Sequence, residues 1–187
     1  MNKIKSLLLT GLLLTSSSAF ADTYIIDTKG AHAAINFKFK HAGISWLVGE
    51  FKKFEGSFEY DENDVAASSI TVDIDTTSLD SNHAKRDEHI TGPDYLNTAE
   101  FPTAKFVSTS FVDNGEGNMT MNGDLTLHGV TKAISIDVST VGKGETRQKD
   151  YRVGLEGHTT INTTDFGMNF RPENLVHMSL YIEGIKQ

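Results

Sequence analysis

From residue 32 onward, apolar and polar side chains alternate in short runs. Ala33, Ile35, Phe37 and Phe39 fall on one face, and His32, Asn36, Lys38 and Lys40 on the other. That period of two is the pattern of a strand with one dry face. It returns in Ile70, Val72 and Ile74, in Met119, Met121, Leu125 and Leu127, in Ile134, Ile136 and Val138, in Val153 and Leu155, and in Val176, Met178, Leu180 and Ile182. Turn-forming residues separate the runs: Asn114-Gly115 and Glu116-Gly117, then His128-Gly129, then residues 142–144 with Gly142 and Gly144. Consecutive runs are therefore predicted to pair as antiparallel hairpins.

Residues 80–97 break the alternation. Residues 82–90 are rich in helix formers behind a cap-like Ser81 or Asn82, which predicts one short helix closed by Gly92-Pro93, with a second helical turn over 93–96. A shorter irregular or helical turn is predicted over 42–47. About eight strands and one or two short helices give an all-β fold. It is best satisfied by a single antiparallel eight-stranded barrel, because closure removes the exposed edges of an open sheet.

A barrel of this size encloses either packed side chains or a cavity for one small ligand. The inward positions are Phe37, Phe39, Phe51, Phe58, Phe106, Met119, Met121, Leu125, Leu127, Val176, Met178 and Leu180. Methionine suits an adaptable binding wall, but an ordinary core has the same composition, so both readings stay open.

The start of the chain changes the setting. Lys3 and Lys5 precede an apolar run over 7–14, and Ala19-Phe20-Ala21 precedes Asp22. These are the parts of a cleavable signal peptide, too short to span a bilayer. Residues 1–21 are expected to be removed, leaving one domain over 22–187 with 15 basic and 25 acidic side chains, a formal charge of −10. That charge argues against nucleic acid or an anionic membrane surface as partner. The chain has no cysteine, so disulfides, thiol chemistry and lipidation through a lipobox are excluded.

Catalytic and metal patterns are weak. His83 and His89 are six apart and do not share a helical face, and no H-x-x-x-H occurs. No G-x-S-x-G elbow is present. His32 and His41 have opposite parity along one strand, which keeps them apart. No cofactor, metal ligand or catalytic residue is assigned. Arg86 in Arg86-Asp87 is expected to pair with a carboxylate that pins the helix, and Trp46 to cap the barrel or line its entrance.

Read together, these runs resemble a known family. Tyr24-Ile25-Ile26-Asp27, the stretch 32–39 with His41, Gly49-Glu50-Phe51 and Phe54-Glu55-Gly56 resemble the opening of the YceI-like family of exported polyisoprenoid-binding proteins. Asp75-Thr76-Thr77-Ser78, Asn82, Arg86-Asp87, His89, Asp94-Tyr95-Leu96 and Phe101-Pro102-Thr103-Ala104-Lys105-Phe106 with Ser108 resemble its central signature. The run from Gly123-Asp124-Leu125 through His128-Gly129 to Lys132 is similar to its later hairpin. The resemblance implies a lipocalin-like barrel holding a long isoprenoid or other amphipathic lipid, although the lipocalin G-x-W is missing, Trp46 standing three residues after Gly43. It implies a ligand wall of Phe37, Phe39, Phe51, Phe106, Met121, Leu125 and Met178, with Trp46 near an opening. The expected protein is a periplasmic carrier or store of a quinone or polyprenyl compound, without stable membrane insertion, its oligomeric state open up to a homodimer. The alternatives are an enzyme acting on a lipid or small ester through His83, Asp87 or His89, and an envelope stress or interaction protein with a solid core.

Overall fold

The computed structural model describes residues 21–170 and 174–187. Apart from Ala21, the expected signal peptide lies outside the described residues. The chain folds as β1 (Asp22–Ile26), β2 (Ala34–His41), β3 (Ser45–Phe51), β4 (Phe54–Tyr60), β5 (Ser69–Asp75), β6 (Leu79–Asp80), α1 (Ala84–Thr91), β7 (Thr103–Gly115), β8 (Asn118–Leu127), β9 (Val130–Glu145), β10 (Tyr151–Asn162) and β11 (Leu175–Lys186). Short 3₁₀ turns occupy Val65–Ala67, Thr76–Ser78 and Thr163–Phe166.

The strands form the expected closed antiparallel barrel. Around the ring β1 pairs with β4, then follow β5, β7, β8, β9, β10 and β11, and β11 returns to β1. Among the described residues eight positions close, with one α-helix. Above β1 and β4 the ring continues in the β2–β3 hairpin, since β2 pairs with β11 through Ala34–Tyr181 to Lys38–His177. Each strand sends alternate side chains inward, so one cluster runs the length of the barrel, from Tyr24 and Phe58 at the lower end to Ile90, Leu96 and Phe166 at the upper.

Aromatic rings lie over strand glycines at several places, as Phe106 does over Gly123. Phe58 stacks on Tyr24 at 4.9 Å, and its ring occupies the space a Cβ at Gly184 would need; Phe37 does the same to Gly49, its cross-strand partner. Only glycine admits such an approach.

Local expectations shift in four places. Residues 142–144 do not turn: they remain in β9, where Gly142 pairs with Gly154 and Val141 bulges out of the ladder. The turn falls at 146–149, where the Lys149 amide donates to the Thr146 carbonyl and Lys149 takes φ 65°. The helix cap is neither Ser81 nor Asn82 but His83, whose side chain accepts from the Arg86 amide at 3.2 Å. Residues 93–96 form turns rather than a second helix, and β3 begins at Ser45, so Trp46 sits in a strand.

One polar cluster holds the join between β1 and β2. Asp27, 6 % exposed, accepts from the Gly30 amide (2.8 Å), meets His32 Nδ1 (2.9 Å) and accepts from Arg152 Nη1 (2.6 Å). Arg152 also donates to Glu183 (2.5 Å) and Asp150 (2.7 Å). The His32 hydrogen bond, the Gly30 amide and Arg152 together outweigh burial and hold the Asp27 carboxyl down at about 2, against 3.8 ordinarily.

Replacing Arg152 with Met is expected to lower stability by about 3 kcal/mol in urea titrations, because Asp27 keeps its burial and loses its cation. Because the folded pKa of Asp27 is depressed, its contribution is complete above pH 3.8 and disappears as pH falls through about 2. Asp27→Asn should therefore flatten the dependence of stability on pH between those values.

Candidate functional site

The interior is a chamber, not a filled core. It is lined by 35 residues and has a free volume of about 170 Å³. At the roughly 10–15 Å³ of such space that a water-sized group needs, it admits on the order of a dozen. Its wall is almost wholly apolar, with Ile70, Val72, Phe106, Phe111, Met121, Leu125, Ile136, Leu155, Leu180 and Ile182 among the side chains on the barrel strands. A void of this kind stays dry, because water would lose hydrogen bonds there without replacement.

Seven residues expected on the wall line it: Phe37, Phe39, Phe51, Phe106, Met121, Leu125 and Met178. Phe37 packs against Phe39 at 6.3 Å and Phe51 at 5.7 Å. Phe58, Leu127, Val176 and Leu180 line it too, whereas Met119 is buried but stands outside the lining. Trp46 neither caps nor lines the chamber. Its parity along β3 is opposite to that of Leu47 and Phe51, so it projects from the outer face, where Lys38 and Lys40 approach its ring.

The ceiling is what alternation could not reveal. Leu79, Ile90, Leu96, Met168 and Phe170 close the upper end, four of them from outside the strands. Ile90 is the one buried residue of an otherwise polar helix. Its helix is held down through Ser81, 3 % exposed: the Ser81 hydroxyl accepts from Arg86 Nε at 2.7 Å and donates to Asp87, while the Ser81 amide donates to Asp87 at 2.9 Å. Arg86 also bonds the Ser81 carbonyl. The pair pins the helix as expected, but through a serine, not through a carboxylate facing Arg86. His89 meets Tyr95 edge-on at 4.8 Å, and Tyr95 leans on Phe170 at 4.5 Å, tying the helix to the far side of the ceiling.

His83 and Asp87 thus cap and anchor a helix, and His89 packs against a ring. His83 and His89 both border a surface hollow with Arg86, Glu88 and Asp94, whereas Asp87 is turned to Ser81. Asp27, His32 and Glu183 come within reach of one another, but Arg152 Nη1 sits between both carboxylates and already supplies the positive charge there. His41 and His32 are not brought together.

The lower end differs. Glu59, Tyr60, Ser68 and Ser69 line it, and the Ser68 hydroxyl is buried without a hydrogen-bond partner among the described residues. Ser69 bonds Glu59 at 3.4 Å. A buried hydroxyl left unpaired costs on the order of 1–3 kcal/mol, so this end favours a ligand atom that pairs with it.

No helix among the described residues is long and apolar enough to cross a membrane. Comparison with known proteins matches residues 24–183 to the YceI-like domain. A UPF0312 protein of Shewanella denitrificans is 48 % identical, over 98 % of this chain and 97 % of its own. A UPF0312 protein of Vibrio vulnificus is 46 % identical, over 98 % and 99 %. The fold is shared with BcnA of Burkholderia cenocepacia (TM-score 0.76, 20 % identity, 84 % of this chain and 98 % of that one). It is also shared with a polyisoprenoid binding domain from Saccharophagus degradans (TM-score 0.64, 13 % identity, 88 % and 98 %).

Ser81→Ala should free the ceiling without opening the barrel. Amide exchange over 84–91 is expected to quicken by about tenfold, corresponding to the loss of one to two kcal/mol of hydrogen bonding, while β8 to β10 keep their protection.

Proposed function

This chain belongs to the YceI-like domain family, and from that membership and the dry chamber we propose that it is a periplasmic carrier or store for an isoprenoid or related amphipathic lipid. The observation that carries the reading is the lining: apolar side chains from floor to ceiling, with polar groups confined almost entirely to the ends. Each methylene or methyl buried there contributes about 0.8 kcal/mol, so a few isoprene units bind without any ion pair. Met121, Met168 and Met178 supply walls that repack around chains of different shape. Space for about a dozen water-sized groups corresponds to two or three isoprene units as the chamber stands. A longer quinone or polyprenyl tail requires those side chains or the ceiling to give way.

Ser68 supports a finer choice. Its unpaired hydroxyl suits a neutral oxygen, such as an alcohol or a quinone carbonyl, and among the described residues the lining has no cation to meet a phosphate. The expected leader peptide supports export. An aqueous space between two membranes is where an insoluble chain needs a soluble barrel.

Protein purified gently from its host and sprayed under native conditions is expected to carry one non-covalent lipid whose fragments include prenyl units; a uniformly ligand-free barrel would overturn the reading. With defined ligands, a prenyl alcohol should bind about fivefold more tightly than a hydrocarbon of equal length. Ser68→Ala should abolish that preference and leave hydrocarbon affinity unchanged.

A further inference from the structure

The outer face beside the β2–β3 hairpin carries an unusual patch. Ile44 at the hairpin tip is 87 % exposed, Trp46 47 %, Val48 62 % and Leu175 50 %. Register places Lys40 opposite Trp46 and Lys38 opposite Val48. The ammonium groups of Lys38 and Lys40 lie 5.0 and 5.9 Å from the Trp46 ring centre, and the His177 ring meets its edge at 5.3 Å. Residues 36–49 and 174–182 carry no other Lys, Arg, Asp or Glu. The patch is thus apolar, aromatic and cationic on a chain whose residues 22–187 sum to −10.

We propose that this hairpin docks the protein on an anionic phospholipid bilayer. Ile44 and Trp46 enter the boundary between headgroups and acyl chains, while Lys38 and Lys40 face the lipid phosphates. Tryptophan favours that boundary because its ring is apolar and its N–H polar. The turn itself presents the isoleucine: Ala42 and Gly43 take φ of 51° and 71°, and Ile44 follows them into solvent. The acidic remainder of the protein does not forbid contact. The nearest carboxylate on this face, Glu50, stands two residues beyond Val48 and is paired with Lys52 at 2.7 Å, and at physiological ionic strength charges beyond about 8 Å are largely screened, so the surface feels the two lysines first. The hairpin lies at the same end of the barrel as the ceiling of α1, Leu96 and Phe170, so docking brings that end to the bilayer. The proposal stands whether or not the chamber holds an isoprenoid.

Trp46 is the sole tryptophan, so its emission reports on the patch directly. Residues 22–187 would be mixed with vesicles of phosphatidylcholine alone and of phosphatidylcholine with phosphatidylglycerol, then floated on a density gradient. The expected result is a blue shift and flotation with the anionic vesicles only. Lys38→Gln with Lys40→Gln should weaken binding tenfold or more, at about fivefold per lysine, and Ile44→Ser should reduce the shift. All three positions are solvent-facing, and unchanged thermal unfolding would confirm that the variants fold. Failure to float with anionic vesicles overturns the proposal, as does equal binding by the double lysine variant. A blue shift without flotation also overturns it, since that reports lipid uptake or another contact, not docking.

Discussion

The closure of the sheet is the constraint on which everything else rests. An eight-position barrel has no free edge only if its last strand finds its first, and here β11 is too long for β1 alone. Its outer edge is divided: Gly184, Ile185 and Lys186 pair with β1, and the stretch from His177 to Tyr181 pairs with β2. Between them the chain must leave the ladder and return. Asp27 sits at that departure, its amide donating to the Glu183 carbonyl at 2.8 Å while its carboxylate gathers Gly30, His32 and Arg152. A chain without disulfides fixes its splice with a charge-assisted network in place of a covalent bond, and Arg152 on β10 ties that network to the neighbouring strand.

Closure at eight positions also sets how much room the inside has. Where strands cross closely, glycine lets a ring lie flat, as Phe58 does over Gly184 low in the barrel and Phe37 over Gly49 in the hairpin, and both rings still line the chamber. Higher up, the hairpin of β2 and β3 extends the wall, while its free side beyond the two residues of β6 is not continued by another long strand. The segment carrying α1 and Leu96 supplies the roof instead. The helix is short and mostly polar, so its place rests on Ile90 below and the Ser81 clamp behind.

How much of this was legible in the sequence depends on whether parity held. Where it did, as in Met119 to Leu127 or Val176 to Ile182, strand and buried face were readable, although Met119 stands outside the lining. The register shift between Ser108 and Ser110 moves the inward set of β7 from Ala104 and Phe106 to Phe111, so this 13-residue strand shows no continuous alternation. Val141 bulges in β9, and the glycines that permit it mimic a turn. Trp46 falls in the stretch 42–47 that reads as an irregular turn, so no parity applies to it until β3 is seen to begin at Ser45. The ceiling was beyond pattern reading: Ile90, Leu96 and Phe170 are single apolar residues in polar surroundings, and only tertiary contact brings them together.

The chamber itself carries an energetic implication. A void of about 170 Å³ costs on the order of 4 kcal/mol at roughly 24 cal/mol per Å³, a sizeable share of the stability of a small domain. Filling it would be chemically simple. Gly157 lines the chamber, and the atoms nearest to a Cβ there would be Ile136 Cγ2 at 3.2 Å and Leu180 Cδ1 and Cβ at 3.4 and 3.5 Å, side-chain contacts that a shift of a few tenths of an ångström relieves. A core serving stability alone has no reason to leave that wall bare while crowding rings over Gly49 and Gly184. The void is consistent with a fold that takes up the missing contacts from an apolar guest, and by linkage such a guest stabilises the barrel as it binds.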